Sequence, residues 1–110
     1  MKVGFIGLGN VGGKLAGSLL RNGVDLMVFD LNPELVVDFA ERGAATGGSA
    51  AQLMQDCDAV ITCLPSPAAC AAVVADMLPH VGAGKIWMEM STTDADQIKA
   101  HAEAVIAAGG

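Results

Sequence analysis

Five short apolar runs, each followed by a stretch of helical character, confine this 110-residue chain to a narrow set of folds. Lys2–Ile6, Asp25–Asp30, Ala44–Thr46, Ala59–Leu64 and Lys85–Met90 read as strands. The segments between them are too long for hairpins and long enough for crossover helices, so successive strands run parallel. Near-continuous apolar strands are buried on both faces. Right-handed crossovers then predict a doubly wound α/β sheet in the order 3-2-1-4-5, with helices on both faces. A chain of this length supplies one such domain, over residues 1–110.

The helix boundaries are written in local chemistry. Val11–Arg21 ends at Asn22-Gly23, a favoured helix stop. Asn32-Pro33-Glu34 opens the second helix with a cap, a proline and an early negative charge. Ser49 to Gln52 has the form of a capping box, and Ser66-Pro67 opens an alanine-rich helix. Thr93 or Asp94 caps the last helix. Gly9, Gly13 and Gly17 fall four apart, a small face expected to press onto the sheet.

The first strand-to-helix turn carries the chemistry. It reads Gly7-Leu8-Gly9-Asn10-Val11-Gly12, a G-x-G-x-x-G between a strand and a helix. Gly7 allows the tight turn, Gly9 lets a pyrophosphate approach the backbone, and Gly12 lets the helix pack closely. Main-chain N–H groups around Asn10 and Val11 would face the phosphates, helped by the helix dipole. Asp30 ends the second strand, where a carboxylate can accept from ribose hydroxyls and would repel a 2′-phosphate. Its neighbours are Leu31 and Asn32 rather than an arginine, which favours NAD over NADP. Cys63, Leu64 and Pro65 end the fourth strand beside the switch point of the sheet, where ligands bind. Ser91 and Thr92 follow the fifth strand at the same edge. Their hydroxyls reach either the nicotinamide end and a substrate carboxylate, or the cap of the last helix. Cys63 has no activating base nearby in sequence and is expected to pack. A glycine-rich first turn and an acidic second strand also suit a methyltransferase, but the G-x-G-x-x-G spacing argues against that reading.

Composition excludes several function classes. Hydrophobic residues make up 53% and charged residues 16%, far from a disordered chain. The formal charge is −6, and Lys2, Lys14, Arg21, Arg42, Lys85 and Lys99 are scattered, which argues against a nucleic-acid partner. The three cysteines, Cys57, Cys63 and Cys70, fit no metal spacing and are expected to be reduced thiols, so no metal is predicted. Glycines and Asn10 interrupt the N-terminal apolar run, so no signal peptide or membrane span is expected, and a cytoplasmic location is. His80 and His101 are expected at the surface, and Trp87 in core or interdomain packing.

Taken in order, Lys2 to Gly12, Val28 to Glu34, Cys63-Leu64-Pro65 and Glu89-Met90-Ser91-Thr92 resemble the β-hydroxyacid dehydrogenases. That family includes 3-hydroxyisobutyrate dehydrogenase, tartronate semialdehyde reductase and 6-phosphogluconate dehydrogenase. The resemblance implies an N-terminal Rossmann domain that binds a nicotinamide dinucleotide. It implies that Gly7 to Gly12 and Asp30 hold the adenosine half, that Leu64 and Pro65 line the site, and that Ser91 and Thr92 lie near nicotinamide and substrate. The chain carries Val11 where the family usually has methionine, Glu89 where it has aspartate, and Ala95 where it has proline. The family's catalytic lysine and subunit interface lie in a helical C-terminal domain that these 110 residues do not contain. The expectation is a domain that binds NAD, turns over little alone, and associates through the apolar face such a domain would cover. The alternative is a stand-alone dinucleotide-binding module without catalysis.

Overall fold

The computed structural model describes residues 2–64, 66–90, 95–107 and 109. The strands are β1 (Lys2–Ile6), β2 (Asp25–Phe29), β3 (Ala45–Thr46), β4 (Ala59–Thr62) and β5 (Ile86–Glu89). The helices are α1 (Asn10–Arg21), α2 (Pro33–Glu41), α3 (Ala50–Asp56), α4 (Pro67–Met77) and α5 (Ala95–Ala107), with one 3-10 turn at Leu78–His80. The sheet is parallel throughout and ordered β3-β2-β1-β4-β5, as predicted. The Rossmann-type architecture is therefore present.

The alternation of side chains along each strand divides the core in two. Phe5, Leu26 and Val28 face α1 and α2, where Phe39 closes the cluster. Ile6, Met27 and Val60 face the opposite way, against Leu53, Met54, Cys70, Val74 and Met77 of α3 and α4. Helix α3 sits close because the strands make room for it. A Cβ on Gly4 would lie 3.1 Å from Leu53 Cδ2, and one on Gly47 would overlap Leu53. Leu53 itself is fully buried.

Four of the five expected strands are shorter than their apolar runs, three of them at the carboxyl edge. Asp30, Cys63 and Leu64 leave the ladder at the carboxyl edge. There the chain after β1 turns to one face and the chain after β4 to the other, and the ladder between them ends on a last bond from Cys63 N–H to Ile6 O at 2.9 Å. These residues become walls of a crevice instead.

Three packing expectations need correction or sharpening. Gly17 does not press onto the sheet: a Cβ there would lie 3.3 Å from Arg21 Nη1 and 3.4 Å from Arg42 Nη1. Buried Gly12 and Ala16 make the close approach instead. His101 is half-buried rather than exposed, because α5 packs it against Trp87. The two rings meet edge to face, centroids 6.4 Å apart, and His101 Nε2 is buried without a partner among the described residues. Trp87 is half-buried against the α3–α4 side of the core.

Helices α1 and α2 do not reach across to β5. By register, Ile86 and Met88 pair with Ala59 and Ile61, and on that side they and Met90 stay about half exposed. This leaves an apolar strip at one edge of the sheet. Among the described residues, no helix is long and apolar enough to cross a membrane.

Candidate dinucleotide-binding site

The glycine turn separates three physical roles. Gly7 adopts φ +99°, and a Cβ there would overlap the carbonyl oxygen of Cys63. A Cβ on Gly12 would overlap the carbonyl oxygen of Gly7. Both glycines are therefore demanded by the fold. Gly9 differs: its φ is −67°, and nothing lies within 4 Å of where its Cβ would be. The fold has no need of a glycine there, whereas a ligand approaching the backbone does.

Gly9 is also the N-cap of α1, and it supplies no side chain to the first-turn N–H groups. Helices α2, α3 and α4 are capped by Asn32, Ser49 and Ser66, whose side chains accept from Glu34, Gln52 and Ala69 N–H. Among the α-helices whose caps are described, only α1 leaves its N-terminus without a side-chain acceptor. Its first turn carries no acidic residue either. The positive end of the dipole thus faces open space.

That space is a cleft of about 930 Å³. Of the residues expected to bind cofactor, Gly7, Gly9, Asn10, Val11, Gly12, Asp30, Leu31, Cys63 and Leu64 all line it. Leu8 and Asn32 do not. The Leu8 side chain is buried in the core, and Asn32 is occupied in capping α2. Pro65, Ser91 and Thr92 lie outside the described residues.

Asp30 does more than line the wall. Its Oδ2 accepts from Leu8 N–H at 2.7 Å and its Oδ1 from Asn32 N–H at 2.8 Å. One carboxylate therefore holds the glycine turn in place and starts the next helix. Each oxygen has a second lone pair, so ribose hydroxyls can still be accepted.

Sequence reading missed the far wall. Ala69, Ala72, Val73 and Asp76 of α4 line the cleft, and their spacing of three, four and seven is one helical face. Leu35, Ala50 and Met90 complete it. Asp76 also accepts from Ala51 N–H at 2.9 Å, tying α4 to the start of α3. Among the described residues, the charged side chains on the cleft lining are Asp30 and Asp76, both acidic. The α1 N-terminus offers a bound phosphate main-chain N–H groups and the positive end of the dipole.

The cysteines are poorly suited to nucleophilic work. Burial pushes the Cys57 thiol up to about 11 and the Cys70 thiol up to about 12. Cys63 is raised as well, by burial first and by the charge of Glu89 second. All three are free thiols. At neutral pH none offers a thiolate.

Comparison with known proteins matches residues 2–110 to the family described as the NAD binding domain of 6-phosphogluconate dehydrogenase. The chain belongs to this family. Its relatives include the human cytokine-like nuclear factor N-PAC, 31% identical over 112 residues, covering 99% of this chain and 20% of that protein. Mouse mitochondrial 3-hydroxyisobutyrate dehydrogenase is 34% identical over 106 residues, covering 94% of this chain and 32% of the enzyme. The solved 3-hydroxyisobutyrate dehydrogenase of Mycobacterium tuberculosis superposes with a TM-score of 0.91 at 25% identity, over 98% of this chain and 37% of that one. The chain thus spans roughly a fifth to two fifths of the proteins it matches. The resemblance to β-hydroxyacid dehydrogenases read from the motifs holds, and the domain corresponds to their nucleotide-binding part.

Proposed function

We propose that this domain binds NAD in the cleft, with the pyrophosphate on the α1 N-terminus and the adenosine ribose on Asp30. The open position at Gly9, set before an N-terminus with no side-chain cap, carries the reading. Asp30 and Asp76 favour NAD over NADP, since both carboxylates oppose a 2′-phosphate. The family resemblance assigns Pro65 to the cofactor site and Ser91 and Thr92 to contacts with nicotinamide and substrate. Calorimetric titration with NAD, NADP and S-adenosylmethionine tests the reading. NAD is expected to bind most tightly, and Asp30→Ala to weaken NAD more than NADP. Equal weakening of the two would remove the ribose assignment.

The reaction served would be hydride transfer between NAD and a small β-hydroxyacid. That transfer also needs a proton acceptor within reach of the hydroxyl. No lysine, arginine or histidine of this domain lines the cleft among the described residues, so the domain alone turns over little or nothing. A second reading is a binding module without catalysis; it is favoured by the relative named as a nuclear factor rather than as a dehydrogenase. Assays with 3-hydroxyisobutyrate, tartronate or serine separate these only if the chain is active, and clear turnover would exclude the module.

The apolar strip of Ile86, Met88 and Met90 supports self-association as a homodimer. Sedimentation should show dimers whose population falls with Met88→Glu. A monomer at millimolar concentration would exclude this.

A further inference from the structure

Behind the cleft, four side chains form a network at the carboxyl ends of β4 and β5. Thr62 is fully buried, with its Oγ1 2.9 Å from Trp87 Nε1 and 2.6 Å from Glu89 Oε2. An indole N–H only donates, so the hydroxyl accepts from Trp87 and gives its own hydrogen to Glu89. The Cys70 thiol lies 3.2 Å from the same Oε2 and donates too. Burial and the bond to Glu89 keep that thiol protonated, its pKa pushed up to about 12. Two donors thus converge on one carboxyl oxygen, which has a lone pair for each. The Glu89 carboxyl group is held in a fixed direction by Thr62 of β4 and Cys70 of α4, with Trp87 of β5 bonded to the Thr62 hydroxyl. By register Glu89 pairs with Thr62, so it lies next in sequence to Met90 and beside the strand that leads into Cys63, both of which line the cleft.

We propose that Glu89 selects the oxidation state of the bound dinucleotide, its carboxylate favouring the positively charged oxidised nicotinamide over the neutral reduced ring. The proposal rests on the dinucleotide reading above. With the adenosine half at Asp30 beyond β2 and the pyrophosphate on α1, the other half extends over β4 and β5. That is where Cys63 and Met90 form the wall and Glu89 stands behind it. The oxidised and reduced forms differ there by one unit of charge. At a protein-like effective dielectric, a fixed carboxylate within about 10 Å discriminates them by roughly tenfold. Thr62, Trp87 and Cys70 act through Glu89 and are positioning residues.

The test is calorimetric titration of this chain with NAD+ and NADH separately. Glu89→Gln, of the same shape, should lower the ratio of the NADH to the NAD+ dissociation constant about fivefold, chiefly by weakening NAD+. Glu89→Asp, which retains the charge, should keep most of the preference. If Glu89→Gln does not fold, Thr62→Val removes the hydroxyl that orients the carboxylate and should lower the same ratio by about twofold. Equal weakening of both forms would mark Glu89 as merely structural and overturn the proposal, leaving the dinucleotide reading intact. Failure of the unsubstituted chain to bind either form would overturn both.

Discussion

Glycines that look alike in a motif are not alike in the molecule. Gly7 and Gly12 have no room for a Cβ, while Gly9 has nothing near it and an ordinary φ. Gly9→Val should therefore cost only about 1 kcal/mol or less, the loss of a favourable N-cap residue without any overpacking. It should weaken NAD at least about tenfold, a loss of some 1.4 kcal/mol. Gly12→Val should instead destabilise the fold by about 1–3 kcal/mol or more through overpacking. Urea denaturation beside calorimetry separates the two effects. Similar stability losses for both variants would undo the division of roles. Asp30 shows the same economy. It was legible as a ribose acceptor, yet its bonds to Leu8 and Asn32 N–H show a carboxylate that also builds the turn. Those bonds join residues 22 and two positions apart, and the longer one depends on how β1 and β2 lie side by side.

At the scale of elements, caps and stops named the helices well. Asn32, Ser49 and Ser66 each bond the N–H that their local pattern predicts. Strand ends were less legible, because apolar character continues through Cys63 and Leu64 after pairing stops. Helix α4 was legible only as an alanine-rich helix, with no sign that one of its faces lines the cleft. The contact of α3 with the sheet turns on Leu53, seated against Gly4 and Gly47. Leu53→Ala should cost about 2–5 kcal/mol, since the strands beneath cannot collapse into the cavity. The measurement is the shift of the urea midpoint; a loss below 1 kcal/mol would mean that α3 is held by its neighbours instead. Ala50 lines the cleft at the start of the same helix, so NAD affinity should fall with it.

For the whole molecule, two buried thiols and one half-buried thiol make stability depend on alkaline pH. Folding raises Cys57 and Cys70 from 9.0 to about 11 and about 12, and raises Cys63 as well. A raised pKa means that the folded state keeps its proton while the unfolded chain releases it. The associated stability is fully present below the unfolded thiol value near 9.0 and is lost as pH rises through the folded values. Denaturant midpoints should be flat from pH 7 to about 8 and fall steadily to pH 11. A Cys57→Ala, Cys70→Ala variant should flatten that fall, and an unchanged slope would refute the assignment.

Much of this protein was determined by its sequence alone. Alternating apolar runs and capped helices specify a parallel doubly wound sheet, because periodicity and capping are local properties that each segment carries with it. The glycine turn and Asp30 are legible for the same reason: their spacing fits one strand, one turn and one helix. Only the tertiary structure decided the rest. It distinguished Gly9 from Gly7 and Gly12, brought α4 to the cleft wall, turned His101 inward against Trp87, and joined Thr62, Cys70 and Glu89. Each of those facts depends on a distance between segments far apart in the chain. Such distances exist only once the helices have settled on the sheet.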